Sequence, residues 1–112
     1  KKIDECDLIV LSLAEHNGSY SAAFKNIFDW TSRLPERKVF ADKKMFLLAT
    51  SPGARGGSSV LETATKRFPF NGGVVVSTFS LPSFHQNFKD GMGITNENLK
   101  NQLQEVIKKI EF

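Results

Sequence analysis

The sequence predicts a doubly wound α/β domain built on parallel strands, and three observations predict it. Three short apolar runs, DLIVLSL (7–13), MFLLAT (45–50) and GVVVSTF (73–79), are bounded by charged or turn residues and read as strands. Their hydrophobicity is nearly continuous rather than alternating, as parallel strands covered by helices on both faces require. The remaining segments carry apolar residues at helical spacing, so the order is strand, helix, strand, helix, strand, long loop, helix. Right-handed crossovers then set the strands side by side in sequence order, with the first two helices on one face and the last on the other.

Each helix has its own signals. After the first run, Phe24, Ile27, Phe28, Thr31 and Leu34 recur at helical spacing, with Ser19 or Ser21 as cap and Pro35 as stop. After the second, Val60, Leu61, Ala64 and Phe68 form a shorter stripe, ended by Pro69 and the Asn71-Gly72-Gly73 turn. The last helix has Thr95 as cap, Glu97 in its first turn and a stripe of Leu99, Leu103, Val106, Ile107 and Ile110. Lys108 and Lys109 near its end complete a charge pattern that suits the helix dipole. Before it, residues 80–93 read as a long loop carrying Phe84, His85, Phe88 and Met92, and long ordered loops tend to be functional. DLIVLSL falls at a sheet edge although it is as apolar as a central strand, and such an edge invites pairing. The expectation is that a second copy, or strands supplied by sequence ahead of Lys1, covers it.

At 112 residues the chain suits a single domain, 1–112, large enough to bury a core without disulfide or metal. Its one cysteine cannot form an internal bridge and no second Cys or His lies at ligand spacing, which excludes a disulfide framework or zinc knuckle and points to a reducing, cytoplasmic setting. No apolar run approaches the roughly 20 residues that span a bilayer, and no signal-peptide pattern opens the chain, so a soluble protein without membrane association is expected. Fifteen basic against 12 acidic residues leave a net charge of +3, scattered along the chain. A mildly anionic small ligand fits that pattern better than nucleic acid.

In an open parallel sheet, ligands bind outside the carboxyl ends of the strands, which singles out the loops after the three runs. The first is Ala14-Glu15-His16-Asn17-Gly18-Ser19, where Asn-Gly taken alone marks a tight turn with positive φ. The second is Ser51-Pro52-Gly53-Ala54-Arg55-Gly56-Gly57-Ser58. Its glycines suit close backbone approach to a flat or anionic ligand, or simply a structural turn. The Lys that follows the last Gly of a nucleoside-triphosphate P-loop is absent. Arg55 reads as a solvated charge or a ligand contact. His16 and His85 have no nucleophile or carboxylate at a recognisable spacing, so no acid–base constellation, and no catalytic side chain, is expected.

The stretch DLIVLSLAEHNGSYSAAFKNIFDWTSR closely resembles the NAD(P)H-dependent FMN and quinone reductases of flavodoxin-like fold. That family shows an apolar strand, Pro-Glu-Tyr-Asn-Gly-Ser, then a helix with Lys-Asn and Asp-Trp. Here those positions read Ala14, Glu15, His16, Asn17, Gly18, Ser19, then Lys25, Asn26, Asp29 and Trp30. TSPGARGG (50–57) is similar to the family's loop after its fourth strand. The resemblance implies a partial flavodoxin-like domain, matched from the family's third strand onward, with three strands present and the first two missing. It implies an enzyme that binds FMN and NAD(P)H and passes hydride to a quinone, flavin, azo or metal acceptor, while the apolar edge of DLIVLSL carries the expectation of a homo-oligomer. The implied cofactor contacts are Glu15, His16, Asn17, Gly18 and Ser19, with Ser51, Pro52, Gly53, Ala54, Arg55, Gly56 and Gly57.

The chain departs from the family at three places. The family's Tyr is His16, its Pro is Ala14, and its Ser-rich phosphate loop, Gly-Ser-x-Arg-x-x-Ser, has no counterpart in the sequence. These departures motivate a second reading, a non-catalytic flavin-binding or interaction module. A receiver-like signalling domain of similar topology is set aside, because it needs carboxylates at the carboxyl ends of strands and Asp4, Glu5 and Asp7 all precede theirs.

Overall fold

The computed structural model describes residues 2–110. Strand β1 (Leu8–Leu13) leads into a hairpin of β2 (Glu15–His16) and β3 (Ser19–Tyr20), and then into helix α1 (Ala22–Thr31). Strand β4 (Lys43–Thr50), helix α2 (Ser58–Arg67) and a 3-10 turn (Phe68–Asn71) follow. Next come β5 (Gly73–Leu81), the single turn α3 (Phe84–Asn87), a hairpin of β6 (Phe88–Lys89) and β7 (Gly93–Ile94), and helix α4 (Glu97–Lys108). The main sheet has the order β1-β4-β5, and both pairings are parallel, as the continuous apolar runs require.

The strand residues divide between two cores. Leu13 of β1 and Met45, Leu47 and Ala49 of β4 pack with Phe28 of α1, Val60, Leu61 and Ala64 of α2, and Phe68, with Ile9 and Leu11 against them. On the other side, Phe46, Phe79 and Leu81 pack with Leu48 and with Leu99, Leu103 and Val106 of α4. The first two helices therefore share one face and α4 takes the other. A bulge between Met45 and Phe46 pairs them with Val75 and Ser77, skipping Val76. The extra residue flips the phase of β5, so that Val75 faces the α1/α2 side while Ser77 donates its hydroxyl to the Val106 carbonyl of α4 at 3.1 Å.

β1 is the exception to two-sided burial. Among the described residues it pairs only with β4 and its even-numbered face is open, with Val10 59% exposed.

Several boundaries depart from the sequence reading, each for a local reason. Of the two candidate caps for α1, Ser21 is used, its hydroxyl accepting the Phe24 N–H at 3.1 Å. The helix stops at Thr31 and does not reach Leu34. The Thr31 and Ser32 hydroxyls bind the carbonyls of Ile27, Phe28 and Asp29, competing with continuation of the ladder. The cap of α4 is Asn96, not Thr95. The Asn96 side chain accepts from Leu99 N–H, while the Thr95 N–H is committed to the Asn87 carbonyl at 2.9 Å. Residues 80–93 form no single long loop, since β5 runs on to Leu81 and the rest folds as α3 and the β6–β7 hairpin. Phe84 and Phe88, stacked at 4.9 Å, close the α4 core.

Tyr20 extends from β3 into the aromatic cluster of Phe24, Phe28 and Phe68, where its hydroxyl is buried without a hydrogen-bond partner. An unpaired buried hydroxyl costs about 1–3 kcal/mol, so Tyr20→Phe is expected to stabilise the fold by about 1 kcal/mol in thermal denaturation. Burial also raises the phenol above its ordinary pKa, against an opposing pull from Arg67. A raised folded pKa means that the fold keeps its full stability below about pH 10 and loses part of it as pH climbs through the folded value. Tyr20→Phe should remove that alkaline loss. Because Tyr20 is the chain's one tyrosine, phenolate absorbance reads its titration directly.

Candidate functional site

The loops after β1, β4 and β5 meet at one end of the sheet, outside the strands' carboxyl ends. In the first, Asn17 (φ 52°) and Gly18 (φ 82°) both lie in the left-handed region, the requirement of a two-residue type I′ turn. That turn pairs Glu15 with Tyr20 and His16 with Ser19. His16 and Ser19 are exposed on the hairpin, and the half-buried Tyr20 ring anchors its return strand. Glu15 points elsewhere: its Oε1 accepts the Val60 N–H of α2 at 2.7 Å.

The second loop is held from below by the third. The Ser51 and Gly53 carbonyls accept the N–H groups of Phe84 and Ser83 at 2.9 and 2.8 Å, and the Ser80 hydroxyl donates to the Gly56 carbonyl at 2.8 Å. The Ser51 hydroxyl donates to the Gly53 carbonyl at 3.3 Å. Arg55 lies exposed along the start of α2, its guanidinium donating to the Ser59 hydroxyl at 2.6 Å. Pro52 and Ala54 are exposed beside it.

The glycines divide by function. A Cβ on Gly57 would stand 2.7 Å from the Ala49 Cβ, and one on Gly56 would strike the Ser80 hydroxyl and the Pro82 backbone. These two glycines are demanded by packing. Gly18 and Gly53 have nothing within 4 Å of the same point, so open surface remains above them. Gly57→Ala, with φ 77° and that contact, is expected to cost about 2–4 kcal/mol, whereas Gly53→Ala should fall within about 0.5 kcal/mol of the parent. Denaturant melts of the two variants check this.

The structure thus brings the two sequence motifs side by side and adds a supporting layer, Ser80 to Phe84, that sequence reasoning had assigned to a separate loop. His85 is exposed on α3, edge-on to Phe84 at 5.6 Å. An open groove of about 640 Å³ runs between β5 and α4, lined by Thr78, Ser80, Asn101, Gln102, Glu105 and Lys109 among others. Among the described residues no three His, Cys, Asp or Glu side chains converge as a metal site requires, and no helix is long and apolar enough to cross a membrane.

Comparison with known proteins bears on this arrangement. Over 59 residues the chain is 44% identical to an NADPH:quinone oxidoreductase of Arabidopsis thaliana, a match covering 53% of this chain and 29% of that protein. An NAD(P)H:quinone oxidoreductase of Solanum tuberosum is 39% identical over the same shares. The matched segment is thus under a third of the length of these curated relatives. FerB, a flavoenzyme NAD(P)H:(acceptor) oxidoreductase from Paracoccus denitrificans, superposes with a TM-score of 0.75 at 24% identity, covering 96% of this chain and 61% of that one. The fold is accordingly flavodoxin-like. The family model for NADPH-dependent FMN reductase matches residues 1–86, a span that holds both motif loops and all three sheet strands, and the chain belongs to that family.

Proposed function

We propose that residues 1–112 form one part of a flavodoxin-like reductase domain whose two motif loops receive the ring of FMN. The protein would act in the cytoplasm, transferring hydride from NAD(P)H to a small acceptor such as a quinone, free flavin, azo compound or metal ion. The observation that carries this reading is the juxtaposition of 14–20 and 51–57 at the carboxyl end of the sheet, joined by the Glu15 to Val60 bond. In flavodoxin-like sheets FMN lies at the switch point beside the third strand, the position that family resemblance gives to β1.

The residues fit the ring better than the phosphate. Gly18 and Gly53 leave open surface on which a flat ring can rest against backbone. The start of α2, where an anion would otherwise sit, is filled by the Glu15 carboxylate. Bound FMN would supply the two-electron chemistry itself. The chain's part is to bind and orient: backbone at 15–19 and 51–57 borders the ring edge, the exposed His16 ring offers a stacking face, and Arg55, steadied by Ser59, balances negative charge.

The purified full-length protein is expected to be yellow with flavin and to oxidise NADPH when a quinone is added. Protein that is yellow but consumes no NADPH would favour the non-catalytic flavin-binding module. We further propose that the open edge of β1 is paired in the working protein, by a second copy or by preceding chain. Sedimentation as a monomer, together with fast amide exchange along β1, would count against that.

A further inference from the structure

We propose that Glu15 is a positioning residue: its carboxylate is the built-in anion of helix α2, locking the hairpin to loop 51–57 and leaving that loop to receive an uncharged ring. The inference rests on the flavin reading for its ligand but not for its geometry.

Helix α2 needs an external acceptor. Its N-cap is Gly57, in the left-handed region and without a side chain to accept a hydrogen bond. The Ser58 and Leu61 N–H groups find the Arg55 and Gly57 carbonyls, at 3.0 and 3.2 Å. The nearby hydroxyls are used otherwise, Ser59 accepting from Arg55 and Ser51 donating to Gly53. Val60 is 0% exposed, so water is a poor substitute for the partner of its N–H. That partner is Glu15, 45 residues earlier, at 2.7 Å, the length of a charge-assisted bond. A carboxylate at this place both satisfies the orphan donor and complements the positive end of the helix dipole.

Two consequences follow. The hairpin cannot shift relative to loop 51–57 without breaking a bond to a buried amide, so the two ring-facing loops keep one relative geometry. The anion position at the head of α2 is also taken, so a cofactor phosphate is excluded from it.

The test compares the 112-residue chain with Glu15→Ala and Glu15→Gln. Amide exchange at Val60, riboflavin affinity by fluorescence, and melting with and without inorganic phosphate are the readouts. In Glu15→Ala, Val60 exchange should rise roughly 10-fold to 100-fold and riboflavin affinity should fall about 10-fold. Glu15→Gln, which keeps the acceptor oxygen and loses the charge, should recover most of both. Inorganic phosphate should raise the melting temperature of Glu15→Ala and leave the parent unchanged.

Unchanged Val60 exchange in both variants would overturn the proposal, as would phosphate stabilising parent and variant equally. Failure of Gln to rescue riboflavin binding would also overturn it, by pointing to a direct charge contact with the ligand. If Glu15→Ala does not fold, Glu15→Gln alone decides: parent-like Val60 exchange and riboflavin affinity support the bond, and loss of either refutes it. If the parent binds no riboflavin, the flavin reading fails while Val60 exchange and the phosphate response still decide the role of Glu15.

Discussion

Phe68→Ala is expected to lower the stability of the chain by about 3–5 kcal/mol, the cost of emptying a fully enclosed aromatic site. Phe68 is 0% exposed and its ring lies 4.7 Å from that of Phe40, 5.6 Å from Phe28 and 6.1 Å from Phe24 and Tyr20. These neighbours come from β3, from α1 and from the connection after α1, so the one side chain packs against all three. Domains of this size have about 5–15 kcal/mol in total, and each kcal/mol moves the melting temperature by roughly 4 °C. The midpoint should therefore fall by about 10–20 °C in a calorimetric scan. Phe70→Ala is the control. Phe70 lies two residues away but is 76% exposed, with only the Arg67 guanidinium over its ring at 5.5 Å, and should cost less than about 1 kcal/mol. A small loss at Phe68 would mean that the α1/α2 core closes around the gap.

Phe68 also marks how far the sequence carries. Its place in the stripe with Val60, Leu61 and Ala64 was readable from spacing, because burial on one helix face is a local pattern. MFLLAT was readable as a strand covered on both sides for the same reason, and the structure divides Met45, Leu47 and Ala49 from Phe46 and Leu48 accordingly. DLIVLSL has the same appearance, yet only its odd-numbered face is covered among the described residues. Continuity of apolar residues records that a strand is suited to burial, not which neighbours supply it. The Val76 bulge was hidden because a run of valines shows no phase to break.

At the candidate site, local signals were read and long-range ones were not. Asn17-Gly18 announces its turn through two positive φ angles that few other residues accept. Gly56 and Gly57 look from sequence like ligand-facing glycines, but their smallness answers to Ser80, Pro82 and Ala49, contacts that arise only after the sheet forms. The direction of Glu15 was equally unreadable. Its neighbours in sequence suggest a loop residue at a ring edge, while its partner is an amide 45 positions away. Thr95 and Asn96 are both capping residues, and what decides between them is the carbonyl of Asn87, again a tertiary contact.

The largest functional effect expected concerns the cofactor phosphate. Residues 1–112 should bind FMN and riboflavin with the same weak affinity, to within about 3-fold, because the sequence has no loop of the family's phosphate-binding type, Glu15 fills the head of α2, and the Ser51 hydroxyl is turned to Gly53. A form of the protein extended ahead of Lys1 by a loop of the family's Gly-Ser-x-Arg-x-x-Ser type should separate the two ligands by roughly two orders of magnitude or more. Each hydrogen bond to a charged group contributes about 1.5–3 kcal/mol, and a phosphate loop makes several. Parallel titrations with flavin fluorescence as the readout measure both ratios. A preference for FMN above about 10-fold in residues 1–112 alone, some 1.4 kcal/mol, would place a phosphate contact within this chain, and Arg55 would be the first residue to test, since swinging free of Ser59 would give it an anion to meet. Equal submicromolar affinities in both forms would show that the ring loops suffice. Loss of flavin binding in both would leave the fold and the Glu15 bond intact, and would turn the function toward an interaction module without flavin.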